Sequence, residues 1–206
     1  RGGVGLAQVT REIATAFGVT AELLPMTEGD APTRVVRADG TRCDFEEYMV
    51  RDRAPDDLSA VDLSAAAASA PGPGVLEALA RAETVIVCPS NPVVSIGTIL
   101  ALAGVRDRLE ARHDAVSISP LVGGAPVKGP ADRLLRAVGA EVSSAGVANL
   151  YRSFCRGMVI DRRDAHERDA ILRLGLEVRV EETLMRTPEI AANLARSVLE
   201  LAGARF

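Results

Sequence analysis

The fold follows from residues 84–97, which read TVIVCPSNPVVSIG. The first five residues are mostly β-branched and apolar, and Pro89 ends the run, so they predict a buried strand. From Ser95 onward, apolar residues recur at helical spacing. The segment therefore predicts a strand, a short loop and a helix in that order, which is the building unit of a parallel sheet.

The same alternation continues to the end of the chain. Further strands are predicted at residues 115–119, 157–161 and 176–180, and a short one at 141–143. Helices are predicted at residues 95–103, 105–112, 131–138, 146–154, 163–174 and 188–201. We therefore predict an α/β fold with a doubly wound, mostly parallel, Rossmann-like sheet and helices on both faces.

The first third of the chain follows a different pattern. Residues 6–17 predict a helix, and residues 21–24 a strand. Residues 33–45 predict a small β-hairpin insertion, because its Asp-Gly pair is a favoured two-residue turn. Residues 52–73 are rich in alanine and serine and show no clear period, so we interpret them as a loop or linker within a single domain of residues 1–206.

Composition limits the possible functions. The 206 residues carry a net charge of −4, which gives no basic field for nucleic acid. No apolar run reaches the roughly 18 residues that a membrane span needs, so we expect no membrane partner. The three cysteines lack a CxxC spacing, which favours free thiols in a cytoplasmic protein over a disulfide framework or a zinc cluster.

Lysine usage singles out one residue. Of the 24 Lys and Arg residues, only Lys128 is a lysine, and it lies in residues 117–132, SISPLVGGAPVKGPAD. A lysine offers a compact point charge to phosphate, and the adjacent Gly123 and Gly124 allow a backbone to approach a ligand closely. A surface lysine with no role is the alternative interpretation. The spacing of a Walker P-loop is absent, which disfavours an ATPase of that class.

Two loops are candidates for phosphate binding. Ligands of parallel α/β sheets bind at the carboxyl ends of the strands, where Ser90, Asn91 and Ser95 supply short polar groups. Because two prolines bracket Ser-Asn, we interpret this segment as a phosphate or nucleotide loop, with helix capping by Ser90 or Ser95 as the alternative. A weaker candidate for a phosphate loop, which no strand precedes, comprises Gly2, Gly3 and Gly5.

Other titratable residues are weaker candidates. Asp161 is the last residue of a predicted strand and is a candidate active-site carboxylate, although capping of the next helix is the favoured interpretation. His113 and His166 lie in polar or charged helical segments, where we expect solvated side chains. No Ser-His-Asp arrangement is indicated.

Taken together, these motifs resemble the 2-phospho-L-lactate transferase family of coenzyme F420 biosynthesis. The resemblance covers about residues 6–201 and is carried mainly by residues 24–27, 85–97 and 119–132. It also includes residues 44–48, 73–79, 146–151, 159–161 and 183–185. It implies a transferase that moves a phospholactyl group, or in actinobacterial members a phosphoenolpyruvyl group, from a guanosine diphosphate-linked donor to the deazaflavin Fo. GMP is released, and Mg2+ assists.

The resemblance also implies where the donor binds. The residues expected around the guanosine diphosphate are Ser90, Asn91, Pro92, Ser95, Gly97, Gly123, Gly124 and Lys128. The expected partners are therefore small-molecule substrates, and the exposed helices expected on a compact sheet also permit a homodimer.

The amino end departs from the family pattern. The family begins with a strand, a Gly-Gly-Val-Gly-Gly-Ala-Lys-type loop and a paired-aspartate motif that serves the metal and Fo, whereas this sequence shows only residues 2–5 of such a loop. Thr98 stands where proline is usual. We therefore expect this chain to be incomplete on its amino-terminal side, and we assign neither catalytic residues nor metal ligands.

Two further functions stay open. A non-enzymatic nucleotide-sugar-binding regulator of the gluconeogenesis-factor type shares the fold and a similar Ser-Asn-Pro loop, although residues 24–27 and 123–130 are more like the transferase. A degenerate domain would retain only the sheet. The choice between a lactyl and an enolpyruvyl donor also stays open.

Overall fold

The structure is a computed structural model that describes residues 3–204. Its strands are β1 (Arg34–Arg37), β2 (Arg42–Asp44), β3 (Leu58–Asp62), β4 (Ile86–Val87), β5 (Ala115–Ile118), β6 (Leu121–Val122), β7 (Ala125–Pro126), β8 (Cys155–Asp161) and β9 (Glu177–Glu181). Its α-helices are α1 (Leu6–Ala16), α2 (Ser64–Ala67), α3 (Val75–Arg81), α4 (Ile96–Ala101), α5 (Val105–Arg112), α6 (Ala131–Ala137), α7 (Ser144–Tyr151), α8 (Arg168–Arg173) and α9 (Pro188–Leu201). A π-helical turn, Glu47–Arg51, and a 3-10 helix, Arg162–Glu167, complete the regular structure.

A parallel four-stranded sheet in the order β4-β5-β8-β9 forms the centre of the molecule. Val116 and Ile118 of β5 pack against α9, while Met158 and Ile160 of β8 belong to the larger core that α4 to α8 cover. Helices therefore lie on both faces, which confirms the predicted α/β fold class. The strands follow chain order, so residues 3–204 do not contain the reversal of strand order found in a complete doubly wound sheet.

The predicted hairpin is present, but it is part of a larger unit. β1 pairs antiparallel with β2, and β3 pairs with the other edge of β1. Residues 52–73 are thus not a structureless loop, because they contain β3 and α2. The short strand β3 is stabilised by pairing with β1, which is distant in sequence, and Val61 lies opposite Val35. The sequence of β3 by itself therefore gives only a weak strand signal.

Three other predicted elements differ. Residues 21–24 form no strand, since no strand of the described chain pairs with them. Residues 141–143 are also not a strand, because Ser143 is the N-cap of α7 and its Oγ accepts the Gly146 N–H at 2.9 Å. The helix predicted at 163–174 is divided into the 3-10 helix Arg162–Glu167 and α8.

All four parallel strands point the same way, so their carboxyl ends lie at one edge of the sheet. The loops after Val87, Ile118, Asp161 and Glu181 leave from this edge. Ligands of parallel α/β sheets bind at this edge, which is where a functional site is expected.

Candidate functional site

A cleft of about 400 Å3 lies at this edge of the sheet. The loops after β4, β5 and β9 and the β6–β7 hairpin with its following turn provide its walls. Its lining residues are Pro89, Ser90, Asn91, Ser119, Pro120, Val122, Pro126, Val127, Lys128, Ala131, Thr183, Leu184 and Met185. A mostly apolar lining with a few polar groups is the usual composition of a small-molecule site.

Asn91, and neither Ser90 nor Ser95, is the side chain that caps the turn before α4. Its Oδ1 accepts the backbone N–H groups of Val93 at 2.9 Å and Val94 at 3.2 Å, so it caps the turn before α4. Capping uses only the oxygen, and the Nδ2 amino group makes no hydrogen bond within the described part of the chain. Because Asn91 and Ser90 also line the cleft, this amide is placed to donate to a ligand.

Five residues predicted for the site do not line the cleft: the hairpin glycines Gly123 and Gly124, and three residues near the start of α4, Pro92, Ser95 and Gly97. Pro92 and Gly97 line a separate, mostly apolar pocket of about 240 Å3. A Cβ on Gly97 would lie 3.0 Å from the carbonyl oxygen of Pro92, so this glycine allows α4 to pack closely on the loop. Ser95 precedes α4 and donates its backbone N–H to the Asn91 carbonyl. All three residues support the loop that carries Ser90 and Asn91.

Gly123 and Gly124 form the turn of the β6–β7 hairpin. Their φ angles are +65° and +72°, a conformation that favours glycine. Their N–H groups donate to the two carboxylate oxygens of Asp164, at 2.9 Å and 2.7 Å. Successive backbone N–H groups of this kind make an anion site, and here a buried carboxylate of the protein occupies it.

Lys128 lies in the turn between β7 and α6. It is exposed, forms no ion pair with residues 3–204, and is the only charged residue among those that line the cleft. Its ammonium is therefore available to an anionic ligand in a cleft that carries no described negative side chain in its wall.

Asp161 lies at the end of β8 and is fully buried. Its Oδ1 accepts the Arg163 N–H at 3.0 Å, and its Oδ2 accepts the N–H and hydroxyl of Thr183 at 3.1 and 3.0 Å. Burial by itself raises the pKa of Asp161, but these hydrogen bonds outweigh it and hold that pKa below its usual value. Asp161 is the N-cap of the 3-10 helix, so the capping interpretation is confirmed.

Sequence reasoning did not assign Thr183, Leu184 or Met185 to the site, although the cleft has them as one wall. Asp164 was missed as well. The signal that could have revealed it is the three-residue spacing of Asp161, Asp164 and Glu167 after a strand, which places the acidic groups on one side of a 3-10 helix.

The glycine segment at the amino end differs from the Gly123-Gly124 turn because it precedes a helix. Gly2 lies outside the described residues, and Gly3 is exposed with φ +65°. Gly5 is the N-cap of α1, whose first N–H groups, those of Leu6 and Ala7, donate to the Glu28 carboxylate at 2.5 and 2.9 Å. A side chain of the protein therefore takes the place that an anion would occupy at this helix end.

Residues 3–204 contain neither a cluster of potential metal ligands nor a helix that could span a membrane. No three His, Cys, Asp or Glu side chains of this part come together in a group that could hold a metal ion. None of its helices has both the length and the apolar character needed to cross a membrane.

Comparison with known proteins gives a consistent family. The family model of 2-phospho-L-lactate transferase CofD matches residues 1–185. A phosphoenolpyruvate transferase of Kitasatospora aureofaciens is 40% identical over 205 residues, covering 97% of this chain and 64% of the relative. A 2-phospho-L-lactate transferase of Methanosarcina mazei is 36% identical over 200 residues, covering 97% of this chain and 65% of the relative. The chain thus spans slightly less than two thirds of the length of these curated relatives.

Solved structures agree on the fold. A crystal structure of a Bacillus halodurans protein superimposes with a TM-score of 0.65 at 16% identity, covering 95% of this chain and 67% of that one. A second crystal structure, described as a UPF0052 family member of the same organism, gives a TM-score of 0.63 at 15% identity. At such low identity the likeness supports the shared fold alone.

Proposed function

Because this chain belongs to the 2-phospho-L-lactate transferase CofD family, we propose that the protein transfers a phospholactyl or phosphoenolpyruvyl group to the deazaflavin Fo in coenzyme F420 biosynthesis. The donor is linked to guanosine diphosphate. In the proposed reaction the Fo hydroxyl attacks the phosphorus that carries the transferred group and releases its proton to solvent, the bond from that phosphorus to the bridging oxygen breaks, and GMP leaves.

One observation carries the proposal for this chain. Within residues 3–204, the cleft at the carboxyl ends of the parallel strands has Lys128 as its only charged lining residue, and Asn91 lines the same cleft. The Lys128 ammonium suits a phosphate group of the proposed donor, because charge-assisted hydrogen bonds to phosphate are strong. The apolar remainder of the lining suits the flat surface of a base or ring.

The chemical contribution of these residues would be positioning and electrostatics. Lys128 would hold the phosphate that leaves and offset the negative charge that develops on it. Asn91 would donate to an oxygen of the donor, and the walls formed by Pro120 and Leu184 would limit its movement. The cleft residues include no side chain placed as a general base, so no proton transfer is assigned to them.

Magnesium is part of the family-based proposal, but residues 3–204 do not fit a metal site by themselves. No group of three potential ligands exists among them. The buried carboxylates of Asp161 and Asp164 both accept hydrogen bonds from backbone N–H groups of the protein. We therefore assign no residue of 3–204 as a metal ligand, and no step of the proposed reaction depends on a metal ion held by them.

Both donor types stay in the proposal, because relatives named for lactyl and for enolpyruvyl transfer match this chain at 36% and 40% identity. A cytoplasmic location is also proposed, since Cys43, Cys88 and Cys155 are all free thiols and a reducing compartment keeps them so. A homodimer stays a prediction.

Incubation of the protein with Fo, each guanosine diphosphate-linked donor and Mg2+ tests the reaction. We expect release of GMP together with a deazaflavin phosphodiester. Calorimetry with GDP and with UDP-sugars tests the nucleotide. Preference for a UDP-sugar without turnover would favour the regulator of the gluconeogenesis-factor type, and binding of neither nucleotide would contradict both functions.

A further inference from the structure

Three acidic side chains follow β8 at a spacing of three residues. Asp161, Asp164 and Glu167 lie at the start, in the middle and at the end of the 3-10 helix segment. A 3-10 helix has three residues per turn, so side chains at this spacing lie above one another. Each carboxylate accepts the backbone N–H of a different neighbouring segment.

The three segments differ in their relation to the cleft. Asp161 holds Thr183, which is in the cleft wall. Asp164 holds the turn of the β6–β7 hairpin, whose flanking residues Val122 and Pro126 line the cleft. Glu167 accepts the N–H of Ala145 at 2.7 Å, at the beginning of α7, and neither residue lines the cleft.

The hairpin needs an outside anchor. Each of its strands has two residues, and its turn consists of two glycines with positive φ. Glycine has the largest conformational freedom of any residue, so an unanchored turn of this composition would sample many conformations. Lys128 follows two residues after β7, and its position depends on how firmly this hairpin is held.

We propose that Asp164 is a positioning residue for donor binding, which acts through the Gly123-Gly124 turn and thereby places Lys128 at the cleft. The inference rests on the proposed function. Asp164 touches no cleft residue directly among its hydrogen-bond partners, so its contribution is to order the hairpin and not to contact the donor. Its two charge-assisted bonds are short, and its full burial keeps water from competing for them.

The substitution Asp164→Asn tests this inference, with Glu167→Gln as the matched control. Both changes replace a carboxylate on the same helix by an amide of equal size, and both weaken a bond to a backbone N–H. We expect Asp164→Asn to raise the Kd for GDP about fivefold or more. Glu167→Gln should lower the Tm without moving that Kd by more than about twofold.

A second pair of variants covers the case in which Asp164→Asn does not fold. Gly124 and Gly139 both have a φ of +72°, and a Cβ on either meets no atom within 4 Å. Alanine therefore strains the backbone equally at both positions without a clash. Gly124→Ala should weaken GDP binding, whereas Gly139→Ala should lower stability and leave GDP binding unchanged.

A double-mutant cycle with Lys128→Ala tests whether Asp164 affects donor binding through Lys128. If Asp164 acts through Lys128, Asp164→Asn should change the Kd by less than about twofold once the lysine is absent. Unchanged GDP affinity in both Asp164→Asn and Gly124→Ala, or full additivity with Lys128→Ala, would overturn the inference. So would an equal loss of affinity in Glu167→Gln.

Hydrogen exchange without ligand separates this inference from the proposed function. Asp164→Asn should speed exchange at the amides of residues 121–128 relative to Glu167→Gln. If the unaltered protein binds no GDP while this difference in exchange appears, the proposed function fails and the ordering of the hairpin by Asp164 stands. No difference in exchange would overturn the ordering itself.

Discussion

Two glycine-containing segments of this molecule bind a carboxylate of the protein, yet only one of them is next to the cleft. At the start of α1, the N–H groups after Gly5 donate to the exposed Glu28. In the β6–β7 hairpin, Gly123 and Gly124 donate to the buried Asp164.

The difference lies in what surrounds each segment. The first has no strand before it within the described residues and lines no part of the cleft, whereas the second follows β5 at the carboxyl edge of the sheet and leads to Lys128. A glycine-rich stretch is therefore informative mainly through its position relative to a parallel strand.

The buried carboxylates of the cleft region should matter most for stability. Asp161→Ala removes the acceptor of the Thr183 and Arg163 N–H groups inside the protein, and leaving such groups unpaired costs about 3 kcal/mol in total. Urea unfolding should show this loss. Glu28→Ala, at the exposed site, is the comparison, and equal losses for the two variants would contradict the contrast.

The same carboxylate should give stability a pH dependence. The pKa of Asp161 is lowered in the folded protein, so its contribution is fully present above its ordinary pKa and is lost as the pH falls through the lowered folded value. As the pH is lowered from about 6 to 2, the free energy of unfolding should therefore fall more steeply for the unaltered protein than for Asp161→Asn. Parallel curves would show that folding does not lower the pKa of Asp161.

Lys128 should dominate donor affinity. Lys128→Ala removes a charge-assisted hydrogen bond to phosphate, so the Kd for GDP should rise about tenfold or more. Lys128→Arg should restore only part of it, because the guanidinium is larger and Gly129-Pro130 restricts the backbone that follows. Calorimetry at several salt concentrations measures this, and wild-type affinity in the alanine variant would reduce Lys128 to an ordinary surface residue.

Asn91 should contribute to both binding and folding. Asn91→Ala loses the cap as well as the free amide, so stability should fall by about 1 kcal/mol and GDP affinity should fall several-fold. Asn91→Asp separates the two roles, because it keeps the capping oxygen and replaces the amide by a charge that repels phosphate. It should retain the Tm and still lose affinity. Unchanged affinity in both variants would leave capping as the only role.

The smallest effect is expected at the amino end. Glu28→Ala should cost about 1 kcal/mol at most, since the bonds that it removes are at an exposed helix end. GDP affinity should not change. A loss of affinity there, larger than that of Lys128→Ala, would move the nucleotide site to the first glycine segment.

Much of the parallel sheet could be predicted, because its strands are short runs of β-branched and apolar residues that are recognisable in the sequence without knowledge of their partners. β5 and α9 agree with the sequence prediction almost to the residue. β3 could not be predicted, since it is fixed by pairing with Val35 and its neighbours more than 20 positions away.

The site was predictable to a similar degree. Ser90, Asn91 and Lys128 could be expected at the cleft because strand ends and charge are visible in the sequence. Asp164 could not, because its bonds to Gly123 and Gly124 span about 40 positions of the chain. Thr183 was missed for the same reason, since its place in the wall depends on Asp161.

The most direct test of the site is a titration of the isotopically labelled protein with GDP, followed by amide NMR shifts. We predict shifts at the non-proline residues of 90–95, 119–128 and 183–185, and none at residues 5–7 and 28. Shifts confined to the amino-terminal segment, or no shifts at any GDP concentration, would contradict the assignment of the cleft as the donor site.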